Sequence, residues 1–160
     1  GAKEEDFPQV RMCVLALERQ MGGMGLMPPC STYHRFAIGM TGDKMSSSKP
    51  ETTIFMDDSI ESMSKKVNRA YSGGQPTVEE HRRLGGDCSK DVAFQYLQFF
   101  FEQDDNELLR IGREYESGKL LAGEIKQICI DRASEWLSDL SDKRDMWDGR
   151  LDEFLAQDSI

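Results

Sequence analysis

The sequence predicts an α/β segment followed by an all-α domain. Three observations predict it: Ser31 to Ile38 and Thr52 to Met56 are β-branched and aromatic enough for short strands, a Gly- and Ser-rich loop separates them, and apolar residues recur at helical spacing from Ser59 onward. The boundary falls after Met56, giving segments 1–56 and 57–160. Two short strands are marginal in water, because a sheet needs three or more strands or a covering partner. The first segment therefore reads as the end of a larger sheet, and the chain as a portion of a longer protein.

Taken in order, Arg11 to Gln20 places Met12, Leu15 and Arg19 on one side and stops at Gly22-Gly23, as a helix with a glycine terminus does. Pro28-Pro29 then excludes helix, Ser31 to Ile38 is a strand, Gly39 to Pro50 is a loop, and Thr52 to Met56 is a strand or extended segment. Ser59 is placed to cap a helix carrying Ile60, Met63, Val67 and Tyr71, which Gly73-Gly74 ends. Thr77-Val78-Glu79-Glu80 has the form of a capping box, opening a short helix that Gly85-Gly86 stops. The aromatic run from Val92 to Glu102 predicts a buried helix, and Asn106 is placed to cap a helix from Glu107 to Ser117. A long helix from Leu120 to Leu140 is expected to turn Leu121, Ile125, Ile128, Trp136 and Leu140 inward, before a last amphipathic stretch with Met146, Leu151, Phe154 and Leu155.

Composition bounds the function. A chain of 160 residues, 38% hydrophobic and 31% charged, is that of a globular domain or two, which argues against disordered, fibrous and membrane-spanning classes. No apolar run approaches the roughly 18 to 20 residues of a transmembrane helix, and the start, Gly1-Ala2-Lys3-Glu4, does not read as a signal peptide. Cys13, Cys30, Cys88 and Cys129 lie far apart with only His34 and His81 to join them, which suits reduced cytoplasmic thiols and predicts no metal site. The net charge of -9 sits in the second half: residues 1–86 hold 11 basic and 11 acidic groups. An acidic half argues against unspecific nucleic-acid binding, yet the first half keeps clustered cations at Lys44 and Lys49, at Lys65, Lys66 and Arg69, and at Arg82-Arg83.

Chemistry concentrates in Lys44-Met45-Ser46-Ser47-Ser48-Lys49, which offers two ammonium groups, three hydroxyls and backbone amides within six residues. Such a loop can close on a polyphosphate and meet negative charge as it builds on a leaving group. A flexible Ser/Lys linker has the same composition, and the order of residues decides between them. That order resembles the KMSKS signature of class I aminoacyl-tRNA synthetases. The stretch YHRFAIGMTGDKMSSSKPETTIF, Tyr33 to Phe55, resembles the subclass holding the tryptophanyl and tyrosyl enzymes. Ser72 to Asp105 and Ser117 to Lys126 resemble the archaeal and eukaryotic tryptophanyl type.

The resemblance implies the end of a Rossmann-type catalytic domain in 1–56 and a helical anticodon-binding domain in 57–160. It implies activation of L-tryptophan with ATP and Mg²⁺, transfer to tRNA(Trp), and a cytoplasmic homodimer with no membrane contact. Carried onto this sequence, Lys44 and Lys49 would be catalytic, Met45, Ser46, Ser47 and Ser48 would complete the ATP-binding loop, and Arg11, Gln75 and Lys126 would fall where the family meets tRNA. Gln75-Pro76 stands where many eukaryotic relatives have Arg-Asp. A His-x-Gly-His sequence is absent, since Arg-Phe-Ala follows His34 and Arg-Arg-Leu follows His81. The 160-residue chain is therefore expected to lack half of the active site and to be inactive by itself. A tyrosyl enzyme and a non-catalytic tRNA- or partner-binding module remain the alternatives. Glu102, Asp104, Asp105 and Glu107 read as an acidic capping loop or a divalent-metal site, and His81 as a solvated helix face or a tRNA-phosphate contact. Cys88, Cys129 and Trp136 read as packing residues.

Overall fold

A computed structural model describes residues 6–21, 37–43, 45–46 and 48–150. The chain divides into two compact units, Gly1–Phe36 and Ala37–Ile160. In the first, α1 (Asp6–Met21) begins five residues ahead of the expected start. Pro8 lies in its first turn, where the missing N–H would have had no partner. The expected strand from Ser31 lies outside the described residues as far as Phe36, as does the last stretch from Leu151 onward.

The second unit runs from a loop into five helices: α2 (Ile60–Arg69), α3 (Val78–Leu84), α4 (Val92–Tyr96), α5 (Asp105–Glu116) and α6 (Ala122–Trp147). Among the described residues there is no strand. Where Thr52 to Met56 was expected to be one, Pro50–Thr52 makes a 3₁₀ turn and the chain then runs extended through Phe55, with no partner strand among the described residues. Lys66 Nζ donates to the Thr53 carbonyl at 2.9 Å, and the Thr52 hydroxyl turns back into the loop, so these groups are already engaged.

Capping residues set the helix boundaries. The Ser59 hydroxyl accepts the Ser62 N–H at 3.1 Å, as its sequence position predicts. α2 nevertheless stops at Arg69, before the glycine pair, because Lys126 Nζ closes its end by donating to the carbonyls of Asn68 at 2.9 Å and Ala70 at 2.7 Å. Thr77 caps α3 through the Glu80 N–H at 3.2 Å, and its hydroxyl meets the Glu80 carboxylate at the same distance. Gly85 ends α3 at φ 73°, where a side chain would collide with the Glu116 carbonyl. The cap of α5 is Asp104, whose carboxylate accepts the Asn106 N–H at 2.8 Å, and not Asn106 itself.

The aromatic run departs from simple helix. After Tyr96 the chain widens into one π turn, Leu97–Phe101, closed by Glu102 N–H to Leu97 O at 2.9 Å. That turn leaves Phe100 48% exposed while Tyr96 and Leu97 stay buried. α6 is the element against which α2, α4, the π turn and α5 pack. Its buried stripe is Ile125, Cys129, Ala133 and Leu137, so the expected inner face is rotated: Leu121, Ile128, Trp136 and Leu140 lie only partly covered. The centre of that stripe carries the small residues Cys129 and Ala133. Met63, Val67, Val92, Ala93, Ile111 and Tyr115 complete the core.

Candidate functional site

The described residues of the expected ATP-binding loop sit in a folded segment between Ile38 and Asp58. Lys44 and Ser47 lie outside the described residues; Met45, Ser46, Ser48 and Lys49 are described. Gly39 starts the segment, and a Cβ there would come within 2.7 Å of the Thr52 carbonyl, so only glycine permits the chain to pass. Gly39 N–H then bonds Asp43 O at 2.6 Å, and Gly42 turns the chain at φ 87° with its N–H on Gly39 O at 2.9 Å. Met40 N–H meets Thr52 O at 2.9 Å, while Met40 O takes the Tyr71 N–H at 2.8 Å, which ties the loop to the chain just beyond α2.

Thr52 is the interior post of the loop and is 4% exposed. Its hydroxyl accepts the Ser46 N–H at 3.1 Å and reaches the carbonyls of Lys49 at 2.8 Å and Ser46 at 3.2 Å. Ser46 and Ser48 share a hydroxyl hydrogen bond of 2.8 Å, and Lys49 stands exposed at the start of the 3₁₀ turn. Met45 borders an apolar cavity of about 340 Å³, with Phe55, Tyr96, Phe100 and Trp136 among its walls.

Behind the loop, Lys66 pairs with Asp58 at 2.5 Å, with both side chains largely buried. Lys66 Nζ also lies 4.8 Å from the centre of the Phe55 ring, a cation–π contact. Asp58 in turn accepts the Phe55 N–H at 2.8 Å and the Ser62 hydroxyl at 3.0 Å. Burial alone would raise this carboxyl, yet the bonds from Lys66, Phe55 and Ser62 together hold it below its ordinary value. Sequence reasoning missed Thr52, Asp58 and Lys66 as parts of the site. It places Lys66 in a cluster of cations with Lys65 and Arg69, and no local spacing announces a carboxylate partner eight residues upstream across a helix start.

The other candidates are distributed over the helical body. The Gln75 carboxamide donates to Gly85 O at 3.1 Å, Lys126 closes α2, and Arg11 falls within α1. Burial pushes the Lys126 ammonium below the usual lysine range. His81 is not a solvated residue: it is 2% exposed, its Nδ1 accepts the Gln75 N–H at 3.4 Å, and its Nε2 lies 2.9 Å from Leu120 O. With Nδ1 as acceptor, the ring proton belongs on Nε2. Arg82 stays exposed but is held along the surface, donating to the carbonyls of Gly118 and Lys119.

The acidic stretch resolves into caps and pairs. Glu102 accepts the Asp104 N–H at 3.0 Å and pairs with Arg132 at 3.0 Å, while Glu107 pairs with Arg110 at 2.6 Å. Among the described residues no group of three or more His, Cys, Asp or Glu could hold a metal. Cys88 and Cys129 are buried, and burial pushes each thiol up to about 12. Trp136 is half-buried, edge-on to Phe101 with ring centres 6.1 Å apart.

Comparison with known proteins places this loop and helical body in a class. Residues 13–138 match the family described as tRNA synthetases class I (W and Y), and the chain belongs to that family. Among its relatives, the tryptophan–tRNA ligase of Archaeoglobus fulgidus is 40% identical over 140 residues, covering 88% of this chain and 33% of the relative. The tryptophan–tRNA ligase of Methanosarcina acetivorans is 42% identical over 149 residues, covering 93% and 34%. The crystal structure of the tryptophanyl-tRNA synthetase from Aeropyrum pernix superposes with a TM-score of 0.80 at 36% identity, covering 86% of this chain and 37% of that one. The chain thus spans about a third of the length of the curated relatives it matches. Among the described residues no helix is long and apolar enough to cross a membrane.

Proposed function

We propose that the chain is the carboxy-terminal, KMSKS-bearing portion of a tryptophan–tRNA ligase. The observation that carries this is the folding of Ser46 and Lys49 about Thr52 at the head of a helical body, within the Lys44–Lys49 sequence motif of a chain 40% identical to a protein of that name. In this reading the carboxylate of tryptophan attacks the α-phosphorus of ATP, and pyrophosphate leaves as the bond to the bridging oxygen breaks. Lys44 and Lys49 carry cations to the phosphates, where their attraction grows as negative charge moves onto the pyrophosphate. Met45 anchors the loop on the apolar cavity, and Ser46, Ser47 and Ser48 supply hydroxyls and amides to phosphate oxygens. Mg²⁺ would travel with the ATP phosphates.

The reading divides the roles as 1–56 for the catalytic part and 57–160 for recognition of tRNA(Trp) at its anticodon. Arg11, Gln75 and Lys126 are its tRNA-side residues. Gln75 and Lys126 serve by holding the 75–85 turn and the end of α2 in place. A cytoplasmic homodimer of the relatives' full length is the assembly proposed.

The test is ATP–pyrophosphate exchange in a protein of that length carrying this segment. Lys44→Ala should lower kcat about 100-fold while KM for tryptophan stays within about twofold, because a contact formed in the transition state is lost. Exchange that depends on tyrosine, or a rate unchanged by the substitution, would sink the proposal. The 160-residue chain alone should show no tryptophan-dependent exchange.

A further inference from the structure

We propose that Thr52 is the positioning residue of the phosphate loop, a latch that holds Ser46 and Lys49 in one hydrogen-bonded ring and so sets where the Lys49 ammonium is presented. This rests on the function proposed above. The ring has four links: Ser46 N–H to Thr52 Oγ1 at 3.1 Å, Thr52 Oγ1 to Lys49 O at 2.8 Å, Thr52 N–H to Lys49 O at 2.9 Å, and Lys49 N–H to Ser46 O at 3.0 Å. A hydroxyl has one proton and two lone pairs, so this one can accept from Ser46 while donating to Lys49, a pairing that a methyl group cannot make.

The latch is mounted on fixed structure rather than on the loop alone. Thr52 O takes the Met40 N–H at 2.9 Å, and Met40 O takes the Tyr71 N–H at 2.8 Å just beyond α2. On the other side, Lys66 holds Thr53 O at 2.9 Å and Asp58 at 2.5 Å. The foot of the loop is therefore hydrogen-bonded to the helical body on both sides, and Ser46 and Lys49 above it are held from inside by one side chain. Preshaping lowers the ordering cost paid when phosphate arrives, which affects the ATP-dependent step and leaves the tryptophan pocket alone.

Thr52→Val keeps the shape and removes the hydroxyl, Thr52→Ala removes both, and Thr52→Ser keeps the hydroxyl. In the 160-residue chain, deuterium exchange at the Ser46 amide should quicken about 10-fold or more in Thr52→Val and Thr52→Ala and stay at the wild-type rate in Thr52→Ser. In a protein of the relatives' full length carrying this segment, Thr52→Val should lower kcat/KM for ATP about 10-fold with KM for tryptophan unchanged, and Thr52→Ser should restore it. Wild-type exchange at the Ser46 amide in both hydroxyl-free variants overturns the latch. A quickened amide with unaltered ATP kinetics overturns its positioning role. If the wild-type protein shows no tryptophan-dependent turnover while the amide quickens, the latch stands and the functional reading fails. Thr52→Ala supplies the same test if the Val variant does not fold.

Discussion

At the scale of single residues, the informative side chains are polar groups taken out of water and then fully occupied. Asp58 and Lys66 are the clearest pair: their side chains are 11% and 13% exposed, and each has further partners. Removing one member strands the other, so Asp58→Ala should cost about 3 kcal/mol in urea unfolding. The pH dependence follows from the direction of the Asp58 shift. A carboxyl held below its ordinary 3.8 contributes fully above that value and loses its contribution as pH falls below it. The gap in unfolding midpoint between wild type and Asp58→Ala should therefore hold from pH 7 down to about 5 and narrow below about 4. A gap that stayed constant to pH 3 would contradict the pairing. The thiols run the opposite way. Cys88 and Cys129 are raised from an ordinary 9.0 to about 12, so their burial stabilises the fold fully below 9 and progressively less as pH climbs towards 12. Both should resist alkylation at pH 8 in the folded chain and react after denaturation, a difference that mass spectrometry of modified peptides reads directly.

At the scale of elements, the joints between helices depend on close approach and on buried acceptors. Asp91 is wholly buried and caps α4 through the Phe94 N–H at 3.0 Å. Its other oxygen receives Gly73 N–H at 2.9 Å and the Tyr115 hydroxyl at 2.7 Å, joining the turn after α2 to α4 and α5. Asp91→Ala leaves those donors without their acceptor and should cost about 3 kcal/mol, against about 1 kcal/mol for Thr77→Ala at the exposed cap of α3. Equal losses would mean that Asp91 is only a helix cap. Gly86 presses on the Tyr115 ring so closely that a Cβ would overlap it. Gly86→Ala should therefore lower stability by about 2 kcal/mol or more, measured by the same unfolding. These joints explain why helix existence was readable from the sequence while helix faces were not. Ser59 and Thr77 cap through bonds to the third residue on, which is local information. The rotation of α6 onto Cys129 and Ala133 is imposed by α2 and α4, whose approach no local pattern encodes.

At the scale of the whole molecule, charge decides what RNA binding can look like. Lys65 is paired with Glu61, Lys66 with Asp58, and Arg82 with backbone carbonyls, so part of the cation supply read from the sequence is already spent. If the chain binds tRNA as proposed above, that binding should show a shallow dependence on salt, with log K falling at a slope of about -2 to -4 against log salt. A slope steeper than about -6 would show that the acidic helical half hides a larger phosphate-binding face. The sequence by itself determined the helices of the second segment, the caps at Ser59 and Thr77 and the family, because these rest on residue order and on interactions a few positions apart. Only the tertiary structure decided that His81 is buried, that Arg82 and Lys126 direct their charges to backbone carbonyls, and that Thr52, Asp58 and Lys66 tie down the segment around Ser46 and Lys49. Each of these pairs a polar group with a partner whose position depends on how the chain folds back. The energy of burying that group is set by the partner, not by its neighbours in sequence.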